Sequence, residues 1–264
     1  MKKFGWKLLC LMLALSFVLC ACGKAPAEDT TAATEAAITT EEALRTALEN
    51  SARVTLDADL QLTGEVSIQG HLFDGGGHTL TGPQYTDGVV ETENGITMSG
   101  GTVENVTVKG AYRGIGDRSG YGANEDVRIN NVTVDSDTYT LNFGYGSGTA
   151  SMYVTGSTLQ GWTSFTKFAN VQFTDCTFGW CESGKYGNLR PYVNTTLTNC
   201  KFEGKTDESG TVTPFGISFK SGTDGILLVL EDCYVGETLI TQENLSQLLN
   251  VSLEGNRIEV RNSN

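Results

Sequence analysis

A short pattern recurs along this chain, and its hydrophobic alternation breaks phase at the same place each time. The pattern is apolar-x-apolar-x-turn-small-x-apolar. It reads Val66-Ile68-Gly70-His71-Phe73, Gly101-Val103-Asn105-Val106-Val108, Val127-Ile129-Asn131-Val132-Val134 and Met152-Val154-Gly156-Ser157-Leu159. It continues at Val171-Phe173-Asp175-Cys176-Phe178, Thr195-Leu197-Asn199-Cys200-Phe202, Leu228-Leu230-Asp232-Cys233-Val235 and Val251-Leu253-Gly255-Asn256-Ile258. Counted at the second apolar position, successive copies stand 35, 26, 25, 19, 24, 33 and 23 residues apart. Side chains in a strand alternate faces, so positions one and three share a face, as do positions six and eight. The step from three to six is odd. All four can face one core only if the chain turns a sharp corner between them. Each copy has Asn, Asp or Gly there, the residues that tolerate a left-handed backbone. Pairs of short strands joined at one-residue corners are expected, and the longest gap leaves room for another around Ile96 and Met98. The 32 glycines and four prolines agree with a turn-rich all-β chain.

The turn strings ENVTV (104–108) and NNVTV (130–134), with VTLDADLQLTGEVSI and FDGGGHTLTG before them, resemble the coils of the pectin-lyase-like β-helix superfamily. The resemblance covers roughly residues 53–260. It implies an all-β, right-handed parallel β-helix of about eight coils, a rod of roughly 38 Å at about 4.8 Å per coil. It speaks to architecture rather than to one activity. In TTEEALRTALENSA, Thr39 and Glu42 have capping-box spacing, and Ala43, Leu44, Ala47 and Leu48 share one helical face. That short N-terminal helix is expected to cap the first open edge. A second small helix is expected in TQENLSQLL, residues 241–249.

Cys176, Cys200 and Cys233 occupy the same position in consecutive copies, which Val106, Val132 and Ser157 fill earlier. Buried free thiols acting as small apolar side chains are the expectation. A disulfide between neighbouring copies, or between Cys176 and Cys181, stays open for an exported chain. C-x2-C metal spacing is missing, and neither metal nor cofactor is expected.

Residues 1–21 carry Lys2, Lys3 and Lys7, then an apolar run, the make-up of an export signal. Leu19-Cys20-Ala21-Cys22-Gly23 resembles a bacterial lipobox. The resemblance implies lipidation at Cys22 and anchoring on the outer face of the bacterial membrane. Residues 22–38 are small and polar and read as a flexible tether. One domain, 39–264, follows. Without the signal lysines, 15 basic and 31 acidic residues leave a net charge of 15 − 31 = −16. That charge disfavours nucleic acid and anionic membrane surfaces as partners, and no nucleic-acid partner is expected.

The motifs of active β-helix families are largely missing. The N-T-D, G-H-G and R-I-K strings of polygalacturonase-like hydrolases do not occur, nor does a W-x-D-H-like segment of pectate lyases. DCTFG (175–179) and NLRPY (188–192) echo pectin methylesterase motifs, which would make Asp175 a nucleophile and Arg190 its partner. His71 and His78 are the only histidines and read as structural. The densest chemistry lies in residues 161–192, where Trp162, Trp180, Tyr186, Arg190 and Tyr192 gather. Aromatic faces beside an arginine suit sugar rings and their hydroxyls. Packing of loops against the strands would use the same residues. Trp162 is expected to be the exposed ring, while Trp180, two residues after inward Phe178, has the phase to point inward. The chain therefore reads as a surface lipoprotein binding a polysaccharide or a surface protein through one flank. The alternative is a carbohydrate-active enzyme, a lyase, hydrolase or pectinesterase-like protein.

Overall fold

A computed structural model describes residues 37–83 and 94–263. The signal segment, Cys22 and the tether up to residue 36 lie outside the described residues. Among the described residues the first in the core is Ile38, which is buried and whose amide donates to Asp57 Oδ2 at 2.8 Å.

The described residues are mostly strand with few helices, 22 strands lying in one mostly parallel sheet beside a separate two-stranded hairpin, Lys205–Thr206 with Val212–Thr213. Successive copies of the repeat pair in parallel. Their second apolar residues form one inward column, Val54–Phe73–Val103–Ile129–Val154–Phe173–Leu197–Leu230–Val260. After the corner a second column runs Leu60–Leu80–Val108–Val134–Leu159–Phe178–Phe202–Val235. A third begins Val66–Ile96–Ile115–Leu141–Thr163 and continues Leu189–Ile217–Val251.

These columns correct the frame of two copies. Six of the eight lie in register, and their corner residues Asn105, Asn131, Gly156, Asp175, Asn199 and Asp232 all have φ between 49° and 58°. Val66 and Val251 instead belong to the third column, where the same alternation recurs. Their supposed corners, Gly70 and Gly255, have φ of 75° and 86° and serve other turns. The 35-residue gap does hold a further rung: Ile96 and Met98 pair in parallel with Val66 and Ile68 in the third column.

The corners are tied across copies. Asn131 Nδ2 donates to Asn105 Oδ1 at 2.9 Å, and Asn105 Nδ2 to Asp74 Oδ1 at 3.1 Å. Directly inside them Val106, Val132, Ser157, Cys176, Cys200 and Cys233 are all buried. The four cysteines of the described residues are free thiols. Cys176, Cys200 and Cys233 also donate to the carbonyls of Thr174, Thr198 and Glu231 at 3.3–3.4 Å. Ser157 donates to Thr155 in the same way at 2.9 Å. The position thus takes a small side chain that fills space and, in four copies, satisfies the carbonyl two residues back.

The first helix spans Glu41–Asn50 and packs Leu44 and Leu48 into the core. Its N-cap is Thr40, whose hydroxyl accepts from the Ala43 amide, and not Thr39. Glu41 bonds Arg45 and the Thr63 amide, and Arg45 reaches the carbonyls of Gly64 and Glu65. The second helix is one turn, Leu245–Leu248. His71 is half-buried rather than inward, with Nδ1 2.6 Å from the Ser51 carbonyl oxygen.

Candidate functional site

The outward residues beside the third column form one flank. Arg113, Tyr139, Trp162, Asn188, Gly216 and Asn250 stand in register on adjacent strands. Ser164 pairs with Asn142 on one side and with Arg190 on the other. Trp162 reaches this face by the unbroken alternation of the strand Thr158–Phe165, and the register shifts on both sides of it, just after Gly161 with φ 126°, set it opposite Tyr139. A side chain at residue 161 would press on the Thr138 carbonyl, at 2.9 Å from its Cβ.

Two excursions leave the second column and frame a cleft over this flank. The first follows Gly179. Its turn is closed by Cys181 N to Tyr186 O at 2.9 Å and Gly184 N to Cys181 O at 2.7 Å. The second, after Phe202, is the exposed hairpin through Ser209, where Asp207 Oδ1 accepts from the amides of Ser209 and Thr211. Lys205 Nζ bridges the two by donating to Gly184 O at 2.8 Å. The cleft encloses about 200 Å³. Trp180, Lys185 and Tyr186 form one wall and Thr213 and Pro214 the other, over a floor of Trp162, Asn188, Gly216 and Asn250.

The structure brings Trp162, Tyr186 and Arg190 together and leaves neither tryptophan fully exposed or inside the core. Both are half-buried. Trp162 is stacked on Tyr139 from the preceding strand, at 5.0 Å and 23°, and on Tyr186 at 6.1 Å and 25°. The Arg190 guanidinium lies 5.0 Å from its ring centroid. Trp162 is therefore built into a stack and presents an edge. Trp180 does not enter the core, since it lines the cleft with its indole against Gly187. Tyr192 directly follows the strand that carries Arg190, with Lys220 Nζ 5.8 Å from its ring. The indole N–H groups of Trp162 and Trp180 and Nε of Arg190 are occluded and lack a hydrogen-bond partner. Among the described residues, Arg190 also makes no ion pair.

Tyr112, Arg113, Tyr139, Asp135 and Asp137 also belong to the neighbourhood, and sequence reading missed them. Tyr112 and Tyr139 meet edge-to-face at 5.9 Å, and the Arg113 guanidinium lies 5.6 and 5.7 Å from their centroids. The signal was the alternation of VDSDTY, which turns Asp135, Asp137 and Tyr139 outward together. Burial pushes the Asp135 carboxyl up, against the Glu182 amide that donates to it at 3.0 Å. Burial also raises Asp137, with repulsion from Asp135 and Glu182 adding to it. The Tyr139 phenol is raised by burial and then by Tyr112.

The pectinesterase-like pairing is not assembled. Asp175 is a corner residue whose Oδ1 accepts from Asn199, whereas Arg190 lies on the flank over Trp162. Among the described residues no group of three or more His, Cys, Asp or Glu side chains is placed to hold a metal ion. No protein-family model, curated protein or solved structure matches this chain.

Proposed function

We propose that this is an exported, lipid-anchored surface protein that binds glycan in the Trp180 cleft, on a right-handed parallel β-helix. Parallel pairing of successive repeats and the left-handed corner in each support the helical architecture. The basic, apolar start and the lipobox-like Leu19–Gly23 support export and lipidation at Cys22.

One observation carries the binding reading. Two residues lining a single cleft, Trp162 and Trp180, have indole N–H groups that lack partners, and Arg190 Nε, over the Trp162 ring, lacks one too. Buried polar groups are ordinarily paired, so this concentration suits a ligand rich in acceptor oxygens. Trp180 supplies a ring for the apolar face of a sugar, and Asn188 and Asn250 supply amides for hydroxyls. Lys185 and Arg190 favour carboxylate or sulfate substituents on that glycan. A glycan array probed with the soluble domain tests the proposal. Binding that Trp180→Ala and Arg190→Ala abolish supports it, and an array on which nothing binds refutes it.

Asp135 and Asp137 favour a second reading, a carbohydrate-active enzyme. Carboxyls raised by burial beside a cleft suit general acid–base work. A reducing-sugar assay on the polysaccharides that bind separates the two readings. Product formation lost in Asp137→Asn selects the enzyme.

A further inference from the structure

The hairpin that carries one wall of the cleft is held at its base and by a single side chain. At the base Phe202 and Phe215 are fully buried, with ring centroids 5.5 Å apart. Main-chain bonds fix both feet, Glu203 N to Phe178 O at 2.8 Å and Gly216 N to Gly187 O at 3.1 Å. Between the feet, residues 205–214 are all exposed. The two strands pair only with each other, and a lone two-stranded hairpin is marginally stable in water. Asp207 organises the tip from within, through the amides of Ser209 and Thr211. Among the described residues, one hydrogen bond joins 204–214 to another part of the chain, Lys205 Nζ to Gly184 O at 2.8 Å. Glycine at 184 gives the ammonium room, since a Cβ there would stand 2.6 Å from Nζ.

That bond ties one wall of the cleft to the other. Gly184 belongs to the turn that carries Lys185 and Tyr186, and Lys205 to the hairpin that ends in Thr213 and Pro214. With the tie made, the cleft encloses about 200 Å³. Sites that enclose a drug-sized ligand run from about 300 to 1,000 Å³, so fixed walls would leave this one too narrow. The feet are pinned by the packed phenylalanines. The arm is not, because its release breaks one exposed bond to a neutral carbonyl, and segments with so few ties open most readily.

Resting on the binding site proposed above, we infer that the 205–213 hairpin is a strap that sets the width of the Trp180 cleft, with Lys205 to Gly184 as its latch. Latched, the walls stand close. Released, Thr213 and Pro214 move away from Trp180 and the cleft admits its ligand. Lys205 is a positioning residue: its ammonium donates to Gly184, and its side chain does not line the cleft. A single net hydrogen bond shifts an open population by about two- to tenfold, which suits a latch that yields to a ligand.

The first test needs no ligand and follows Trp180 in the full chain. With Trp6→Phe and Trp162→Phe, Trp180 is the single indole left of three. Adding Lys205→Met removes the latch but keeps a side chain of similar length. Quenching of Trp180 by acrylamide, a neutral probe, is expected to rise at least about twofold, with Tm unchanged. Lys205→Arg keeps a donor and should restore the parent value. Equal quenching in Lys205→Met and its parent overturns the strap. A lowered Tm would make the bond a support of the fold and overturn the latch as well. The second test is stopped-flow association of heparin and alginate tetrasaccharides with the full chain, its tryptophans intact. Lys205→Met should speed association several-fold. A lysine that merely attracted anions would give the opposite sign, so slower or unchanged association overturns the inference. Raised quenching in Lys205→Met with neither tetrasaccharide bound would support the strap and count against the anionic glycan reading.

Discussion

The Trp180 indole lies so close to Gly187 that a Cβ built on the glycine would stand 2.5 Å from ring atom Cδ2 and 2.6 Å from Cε2. Real Cβ contacts do not come that near, so any side chain at 187 must displace the indole. Gly187 also accepts the Gly216 amide through its carbonyl at 3.1 Å, which holds the cleft floor to its wall.

Gly187→Ala should therefore move Trp180 without unfolding the domain. In a chain starting at residue 37 and carrying Trp162→Phe, Trp180 is the single indole. Its fluorescence should shift to the red as it swings into water. Glycan affinity should fall by about 1–3 kcal/mol, the scale of a lost hot-spot aromatic. An unshifted spectrum would mean that the 181–187 turn yields instead.

The thiol column gives a second prediction. Cys200 is fully buried, and the neighbouring thiols of Cys176 and Cys233, together with burial, push it well above the usual thiol range. It should resist alkylation in the folded domain. Unfolded and unreduced, a chain from residue 37 should titrate four thiols, Cys176, Cys181, Cys200 and Cys233. Fewer would reveal a disulfide. Cys200→Ser keeps the donation to Thr198 O as Ser157 makes it to Thr155, and Cys200→Val keeps the apolar volume as Val132 does. Each should cost less than about 1.5 kcal/mol, whereas Cys200→Asp buries a charge and should prevent folding.

The corners were readable because they are local. A left-handed residue must follow the second inward side chain by two positions, and Asn131 or Asp175 declares this without any partner. Val66 and Val251 misled for a physical reason as well. The third strand column alternates like the first, and only pairing register and the φ at Gly70 and Gly255 distinguish them. The site divided in the same way. Trp162, Trp180, Tyr186 and Arg190 were visible as a cluster in one stretch. The stacking of Trp162 on Tyr139 was not, because it depends on register across repeats and on the shifts beside Gly161.

Asp137 supplies a pH prediction. Burial, then Asp135 and Glu182, raise its carboxyl above the ordinary value. A carboxyl raised in the folded state contributes stability below its unfolded pKa, and that contribution is lost as pH rises through the folded pKa. Asp137→Asn removes the ionised form and its repulsion. The variant should therefore melt higher than the parent at pH 7, by about 1–2 °C given solvent screening of so open a group. The advantage should vanish below about pH 4, where the parent carboxyl is protonated. A difference independent of pH would show that packing, not charge, separates the two proteins.

The two tryptophans should separate stability from binding. Trp162 is in contact with the rings of Tyr139 and Tyr186 and with the Arg190 guanidinium, so Trp162→Ala removes two ring contacts and a cation–π contact from the flank. For a half-buried indole the cost should be about 2 kcal/mol, roughly half that of a fully buried one, or about 4–8 °C in Tm for a domain of this size. Trp180 touches no other ring among the described residues and rests on a glycine. Trp180→Ala should leave Tm within about 2 °C and weaken glycan binding by about 1–3 kcal/mol. Arg190→Ala, which breaks no ion pair, should cost mainly affinity for carboxylated or sulfated glycans, and the loss should shrink as salt rises. Tyr192→Ala should act in the same direction through the displaced Lys220. If Trp180→Ala destabilises the domain as much as Trp162→Ala does, and binding survives both, the rings are packing elements and the binding face lies elsewhere.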